Sequence, residues 1–204
     1  MRNYHNYPGR GYGGMFLDWA YDRRCQPYNS FGNGAAMRVS PVGFAFETIE
    51  EVLAWSERSA AVTHNHPEGI RGAQATAEAI YLARRGQDKD QIRSTLESQF
   101  GYDLSARLDE IRPTYHFDET CQGTVPQALA AFFESTSYEG AIRNAISLGG
   151  DADTLACITG GIAEAYYGGV PQELETRTMA LLDDHLVTVV DRFRERFGLA
   201  SRDA

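Results

Sequence analysis

The sequence is poor in the features that would tie it to a membrane, an export route or a nucleic acid. No apolar run reaches the roughly 20 residues that a bilayer-spanning helix needs, and Met1-Arg2-Asn3-Tyr4-His5-Asn6 lacks the apolar stretch of a signal peptide. Cysteine is scarce. Cys25, Cys121 and Cys157 are odd in number, far apart and without a Cys-x-x-Cys pair, which suits a reducing cytosol better than a disulfide framework or a zinc site. A cytoplasmic location is therefore expected, with the cysteines as core or neutral residues. Positive charge is in deficit: 19 Lys and Arg face 28 Asp and Glu, for a net charge of -9 and a pI near 5.0. That balance argues against a nucleic-acid or anionic-membrane partner and leaves room only for a local basic pocket that takes a small phosphorylated ligand. Runs of alternating β-branched residues are missing too, as are internal repeats, low-complexity segments and any linker long enough to separate domains. The 204 residues, 43% hydrophobic, suit one domain spanning 1–204.

What the chain does carry is helical periodicity. A short helix is predicted over 15–21. Thr48-Ile49-Glu50-Glu51 is a capping box that opens a helix to about residue 62, with Ile49, Val52, Leu53, Ser56 and Ala60 on one face. Pro67 sits at the first turn of the next helix, 68–85, whose Ile70, Ala73, Ala77, Ile80 and Tyr81 face inward. Asp88 caps a helix to residue 100, Pro113 stops a shorter one over 104–111, and helices over 125–134, 137–147, 172–182 and 185–197 follow. Residues 26–38, rich in turn formers, and 115–123 read as irregular. The class is all-α, a compact helical bundle.

Between two of these helices, Ser147-Leu148-Gly149-Gly150-Asp151-Ala152-Asp153-Thr154-Leu155 gathers two carboxylates and a hydroxyl. Gly149 and Gly150 stop the helix before it. Leu155, Ile158, Ile162 and Ala165 then recur at helical spacing until Gly168, Gly169 and Pro171, so Asp151, Asp153 and Thr154 crowd a helix N-terminus. One Asp there is an ordinary cap, which stabilises by about 1 kcal/mol. Two Asp and a Thr around one small residue differ, because like charges this close repel unless something positive lies between them. Hard oxygens on a tight turn suit a divalent cation such as magnesium or manganese. An EF-hand loop is ruled out, since Leu155 and Ala156 stand where it wants Asp or Asn and then Gly. Gly160 and Gly161 within this helix each cost roughly 1 kcal/mol against Ala, which predicts a helix packed closely there and a central place for this one.

Other motifs carry less. Gly9-Arg10-Gly11-Tyr12-Gly13-Gly14 satisfies G-x-G-x-x-G, but no strand precedes it and the match is by chance. His64 and His66 lie two apart, a spacing that shares a face on a strand and not on a helix, which argues against a shared metal. A histidine at a loop-to-helix junction caps or packs, and beside exposed helix amides it can also help hold a phosphate or ribose. No G-x-S-x-G elbow surrounds Ser30, and nothing marks Cys121 or Cys157 as an activated thiol.

Three strings in order, Ser30-Phe31-Gly32-Asn33-Gly34-Ala35-Ala36-Met37-Arg38, Thr63-His64-Asn65-His66-Pro67 and Gly149-Gly150-Asp151-Ala152-Asp153-Thr154 with Ala163-Glu164-Ala165-Tyr166-Tyr167-Gly168 beyond it, closely resemble the ADP-ribosylglycohydrolase family. The resemblance covers about residues 7–197. It implies an all-helical, magnesium-dependent hydrolase that releases ADP-ribose from a modified protein side chain or a related conjugate. It implies further that Asp151, Asp153 and Thr154 form half of a two-ion site for Mg²⁺ or Mn²⁺, and that Ser30, Phe31, Gly32, Asn33, Gly34 and His64 contact ADP-ribose. The family's other metal half is a Thr-Asp-Asp-Thr string on an early helix, and no Thr-Asp-Asp occurs here. Relative to the family the chain reads as N-terminally truncated. The expected function is ADP-ribosyl hydrolysis; the alternative is an ADP-ribose-binding remnant or subunit that is deficient in catalysis.

Overall fold

The computed structural model describes residues 7–199, and among these the chain forms helices and no strand. In order they are α1 (Gly14–Tyr21), α2 (Gly34–Met37), α3 (Ser40–Ala45), α4 (Ile49–Ala61), α5 (Pro67–Arg84), α6 (Lys89–Phe100), α7 (Leu108–Ile111), α8 (Cys121–Phe133), α9 (Tyr138–Ser147), α10 (Ala152–Tyr167), α11 (Gln172–Met179) and α12 (Asp184–Phe197). An isolated antiparallel bridge joins Gly32 to Thr120.

The helix starts follow from local chemistry. Thr48, Asp88, Thr120, Ser137 and Asp183 each accept a hydrogen bond from the backbone N–H three residues on. Several helix ends are closed from outside by a cation of another segment. Arg38 donates to Ser59 O and Ala60 O at the end of α4, Arg71 to Phe100 O at the end of α6, and Arg84 to Phe44 O and Phe46 O at the end of α3. Lys89, the chain's one lysine, donates to Phe132 O and Phe133 O at the end of α8 and to Tyr167 Oη, under the rings of Phe132, Tyr166 and Tyr167. Such placements satisfy carbonyls that have no intrahelical donor and complement the helix dipole.

The core lies around α5 and α10, which pack on each other. α5 turns a run of small side chains, Ala73, Ala75, Ala77 and Ala79, to its neighbours, so α2, α3, α4, α6 and α8 can all approach it. α10 packs on α8 and α9 as well, and the closeness predicted at its glycine pair is present. A Cβ on Gly160 would stand 3.0 Å from Ile142 Cδ1 of α9, and one on Gly161 2.6 Å from Ser40 Oγ of α3.

The structure corrects several boundaries. α2 lies within the span expected to be irregular, and α3 follows directly; both are only four to six residues long, too short to show a helical period. The helix expected over 104–111 is reduced to α7, because side chains hold 103–105 open: Glu97 Oε1 accepts from Leu104 N, and Asp103 Oδ1 from Ser105 N. α8 starts at Cys121 and not at residue 125, since the Thr120 cap begins the helix earlier and Pro126 is carried in its second turn. No helix of the described residues is long and apolar enough to cross a membrane.

Candidate functional site

The segment 28–34 has few apolar side chains to anchor it and is held by hydrogen bonds on both sides. On one side Thr63 O accepts from Tyr28 N at 3.3 Å and Ser30 N at 3.5 Å, and Asn65 Oδ1 accepts from Asn29 N at 2.8 Å. On the other, Asn33 N donates to Glu119 O at 2.7 Å and Cys121 N to Phe31 O at 2.9 Å, while Cys121 Sγ lies 3.2 Å from Gly32 O. Ser30 Oγ accepts from Gly32 N at 3.1 Å and tightens the turn. Ser30, Asn33 and His64 are thereby buried, whereas Phe31 remains 46% exposed, with its ring edge-on to His66.

Asn33 ties this loop to the start of α10. Its Nδ2 donates to Thr124 Oγ1 at 3.0 Å and to Asp151 Oδ2 at 2.6 Å. Asp151 does occupy the N-cap position, but its side chain makes no cap hydrogen bond, so capping does not account for it. Burial raises the Asp151 carboxyl above the usual range, and the neighbouring Asp153 adds to this, while Asn33 and Thr154 oppose it. Asp153 is exposed and accepts from Thr154 N at 3.0 Å; Thr154 is buried, its Oγ1 turned to Met37 Sδ. Gly150 (φ +59°) brings the turn against residues 115–116, where a Cβ would meet Tyr115 Cε1 at 2.8 Å and His116 O at 2.9 Å. The Tyr115 hydroxyl is buried there and meets the geometric criteria for no hydrogen bond among the described residues.

The two histidines separate in role. His66 is the N-cap of α5, its Nδ1 accepting from Glu68 N at 3.1 Å. His64 lies beneath the loop, where Cβ atoms on Gly32 and Gly34 would stand 3.5 and 3.4 Å from its Nε2. Burial first, and then the Arg38 charge, push its pKa down from 6.5 to about 4.

All nine candidate residues thus lie in the loop, at the base of α5 or at the start of α10, and Asn33 joins the first of these to the last. Arg38, Thr63 and Asn65 stood within the quoted strings, but their partners lie 25 to 36 residues away and no local pattern announces them. Cys121 and Tyr115 were missed because 115–123 offered only irregularity, and Thr124 because the next helix was expected only from residue 125. Thr120 was a legible N-cap candidate on its own and would have placed Cys121 and Thr124 on one helix. A cavity of about 540 Å³ opens elsewhere, between α3, the end of α10 and α12, and none of the candidate residues lines it. Chemistry, not cavity size, locates the site.

Asp151, Asp153 and Thr154 offer two carboxylates and a hydroxyl at one turn, a donor set of hard oxygens that fits a divalent cation. They fit it as part of a coordination shell: among the described residues no group of three or more His, Cys, Asp and Glu able to hold a metal is gathered.

An all-helical bundle with a glycine-rich loop tied to an acidic helix N-terminus defines the class. The sequence model of the ADP-ribosylglycohydrolase family matches residues 1–202, and the chain belongs to that family. ADP-ribosylhydrolase ARH3 from Bos taurus is 29% identical over 184 residues, covering 68% of this chain and 50% of that protein. ADP-ribosylarginine hydrolase Tri1 from Pseudomonas putida (strain GB-1) is 30% identical over 156 residues, covering 70% and 40%. A solved structure described as an ADP-ribosylglycohydrolase-related protein complex superposes with a TM-score of 0.67 at 27% identity, over 90% of this chain and 66% of that one. The chain spans about half the length of the curated relatives it matches.

Proposed function

We propose that the chain binds ADP-ribose between the 28–34 loop and the Asp151 turn, and serves the magnesium-dependent release of ADP-ribose from modified protein side chains or related conjugates. The observation that carries this reading is the Asn33 to Asp151 hydrogen bond, which joins the proposed ligand loop to the proposed metal turn across 118 residues. Family membership supplies the reaction class. Gly32 and Gly34 let a ligand approach the backbone, Phe31 presents an open ring, and Ser30 and His64 offer polar atoms beneath. Asn33 holds the Asp151 carboxylate in place, and Asp151, Asp153 and Thr154 would hold the cation. A bound divalent ion would polarise an oxygen of the ribose and favour an ionised water. A reducing cytoplasm, with neither nucleic acid nor membrane as partner, goes with this reading.

The partial donor set favours a second reading, in which the chain alone binds ADP-ribose and turns it over poorly. Thermal shift with ADP-ribose and an assay of ADP-ribose release in excess Mg²⁺ separate the two. A shift without release is the second outcome; release abolished by Asp153→Asn is the first. No shift with ADP-ribose would sink both.

A further inference from the structure

The cavity of about 540 Å³ beside the far end of α10 takes no part in the Asp151 turn. Glu164, on its wall, stands 13 residues beyond Asp151, which at the rise of an α-helix is about 20 Å along the axis. The outer wall is α12, an amphipathic helix whose apolar face is left uncovered. Leu186, Val189, Val190, Phe193 and Phe197 recur at helical spacing, yet no residue of α12 is buried and Val189 is 51% exposed. Gly198 (φ +64°) closes the helix and turns the chain back, with Leu199 N donating to Arg194 O at 2.9 Å, so Leu199 joins the same wall. Across the space stand Phe44 of α3 and Ala165 of α10. Protein interiors leave few voids larger than a water molecule, and this volume lies in the range of small-molecule pockets, roughly 300–1,000 Å³.

The polar groups of the wall are few and mostly committed. Arg84 donates to Gly43 O, Phe44 O and Phe46 O and pairs with Glu47, and Arg194 pairs with Glu175. Glu164 differs: among the described residues its side chain makes no hydrogen bond and no ion pair. Burial raises its carboxyl, the Arg194 charge opposes this and Glu175 adds to it. With Arg84 taken up by Glu47, two carboxylates, Glu164 and Glu175, face one guanidinium, Arg194. The space is short of one positive charge and of one apolar body.

We propose that this cavity is a second binding site, for a small molecule that joins a protonated amine to an apolar body, with the amine on Glu164 and the body between α3 and α12. The amine supplies the donors that Glu164 lacks, and the apolar body gives the face of α12 contacts that the protein does not provide. An anionic head would meet the uncompensated carboxylate, since both arginines are engaged. The site shares no residue with the ADP-ribose reading and does not rest on it.

The test titrates 4-phenylbutylamine into methyl-labelled protein, with 4-phenylbutan-1-ol and 4-phenylbutanoate as the neutral and anionic counterparts, and follows the Val189, Val190 and Leu199 methyls by NMR. The amine is expected to move those signals and to bind about tenfold more tightly than the alcohol, with the carboxylate weakest. Glu164→Gln should bring the amine down to the alcohol, and Ala165→Phe, which fills the space, should abolish binding of both. Saturating ADP-ribose should displace none of the amine. A parent in which no probe moves those methyls overturns the site, whether or not a variant folds, and so does displacement by ADP-ribose. Equal affinity for amine and alcohol, a preference for the carboxylate, or amine binding unchanged in Glu164→Gln overturns the class of ligand. Amine binding in a parent that takes no ADP-ribose upholds this site and sinks the functional reading alone.

Discussion

Asn33 is a buried amide with both donors engaged, one on Thr124 and one on Asp151. Asn33→Ala removes both at once and leaves a buried hydroxyl and a half-buried carboxylate without that donor. The expected cost is about 1–3 kcal/mol, read from urea unfolding, together with a loss of ADP-ribose affinity. Asp151→Asn should act in the opposite direction on stability. An amide oxygen still accepts from Asn33, the repulsion from Asp153 disappears, and Asn is a good N-cap. We expect a gain of about 0.5–1 kcal/mol, seen as a rise in Tm, with loss of any Mg²⁺-dependent shift. A fall in Tm would show that the Asp151 charge is compensated by something other than Asn33 and Thr154. At this scale the sequence was informative about which residues gather and silent about how. Ser30, Asn33, Asp151 and Thr154 stood in recognisable strings, but that Asn33 and not the α10 amides takes up the Asp151 carboxylate depends on two segments 118 residues apart meeting.

The longer helices were legible because they repeat an apolar face over at least two turns, and some announce their start with a cap, as α4 does at Thr48 and α6 at Asp88. α2 and α3 were not, since four to six residues complete too few turns to show a period, and their reason to exist is tertiary. α3 is pressed onto α5 at Gly43, where a Cβ would come within 2.6 Å of Ile80 Cβ and 2.8 Å of Ala77 O. Backbone on the far side cannot give way as a flexible side chain would. Gly43→Ala should therefore destabilise by about 1–3 kcal/mol through overpacking, measured by chemical denaturation, although Ala is intrinsically the better helix former. An unchanged midpoint would mean that α3 can lift from α5 without cost.

For the molecule as a whole, the order of helices was readable and their arrangement was not, since nothing local says that α5 should lie against α10. One consequence of that arrangement is a titration. Glu78 of α5 is 2% exposed, its Oε2 has no hydrogen-bond partner among the described residues, and burial pushes its carboxyl from 4.5 up to about 7. A carboxyl raised in the folded state contributes stability that is complete below its unfolded value and is lost as pH rises through its folded one. Stability should therefore fall from about pH 4.5 to pH 8 by about 2–3 kcal/mol on this account, at about 1.4 kcal/mol per pKa unit. His64, lowered from 6.5 to about 4, works in the other sense: its contribution is complete above pH 6.5 and is lost as pH falls through 4. Comparing parent with Glu78→Gln across this range isolates the first effect, and parallel curves would show that Glu78 ionises freely in the fold.

Lys89 has a consequence for handling the molecule. It is the chain's one lysine, and its ammonium is already hydrogen-bonded to the end of α8, to Ser135 and to Tyr167. Reagents that acylate side-chain amines thus have a single target, and that target is slow to react while the fold is intact. Its rate of acylation reports on opening at the junction of α6, α8 and α10, free of background from any other lysine. Against the 18 arginines that make up the rest of the 19 basic residues, this leaves a surface on which lysine-directed cross-linking finds no ready handle.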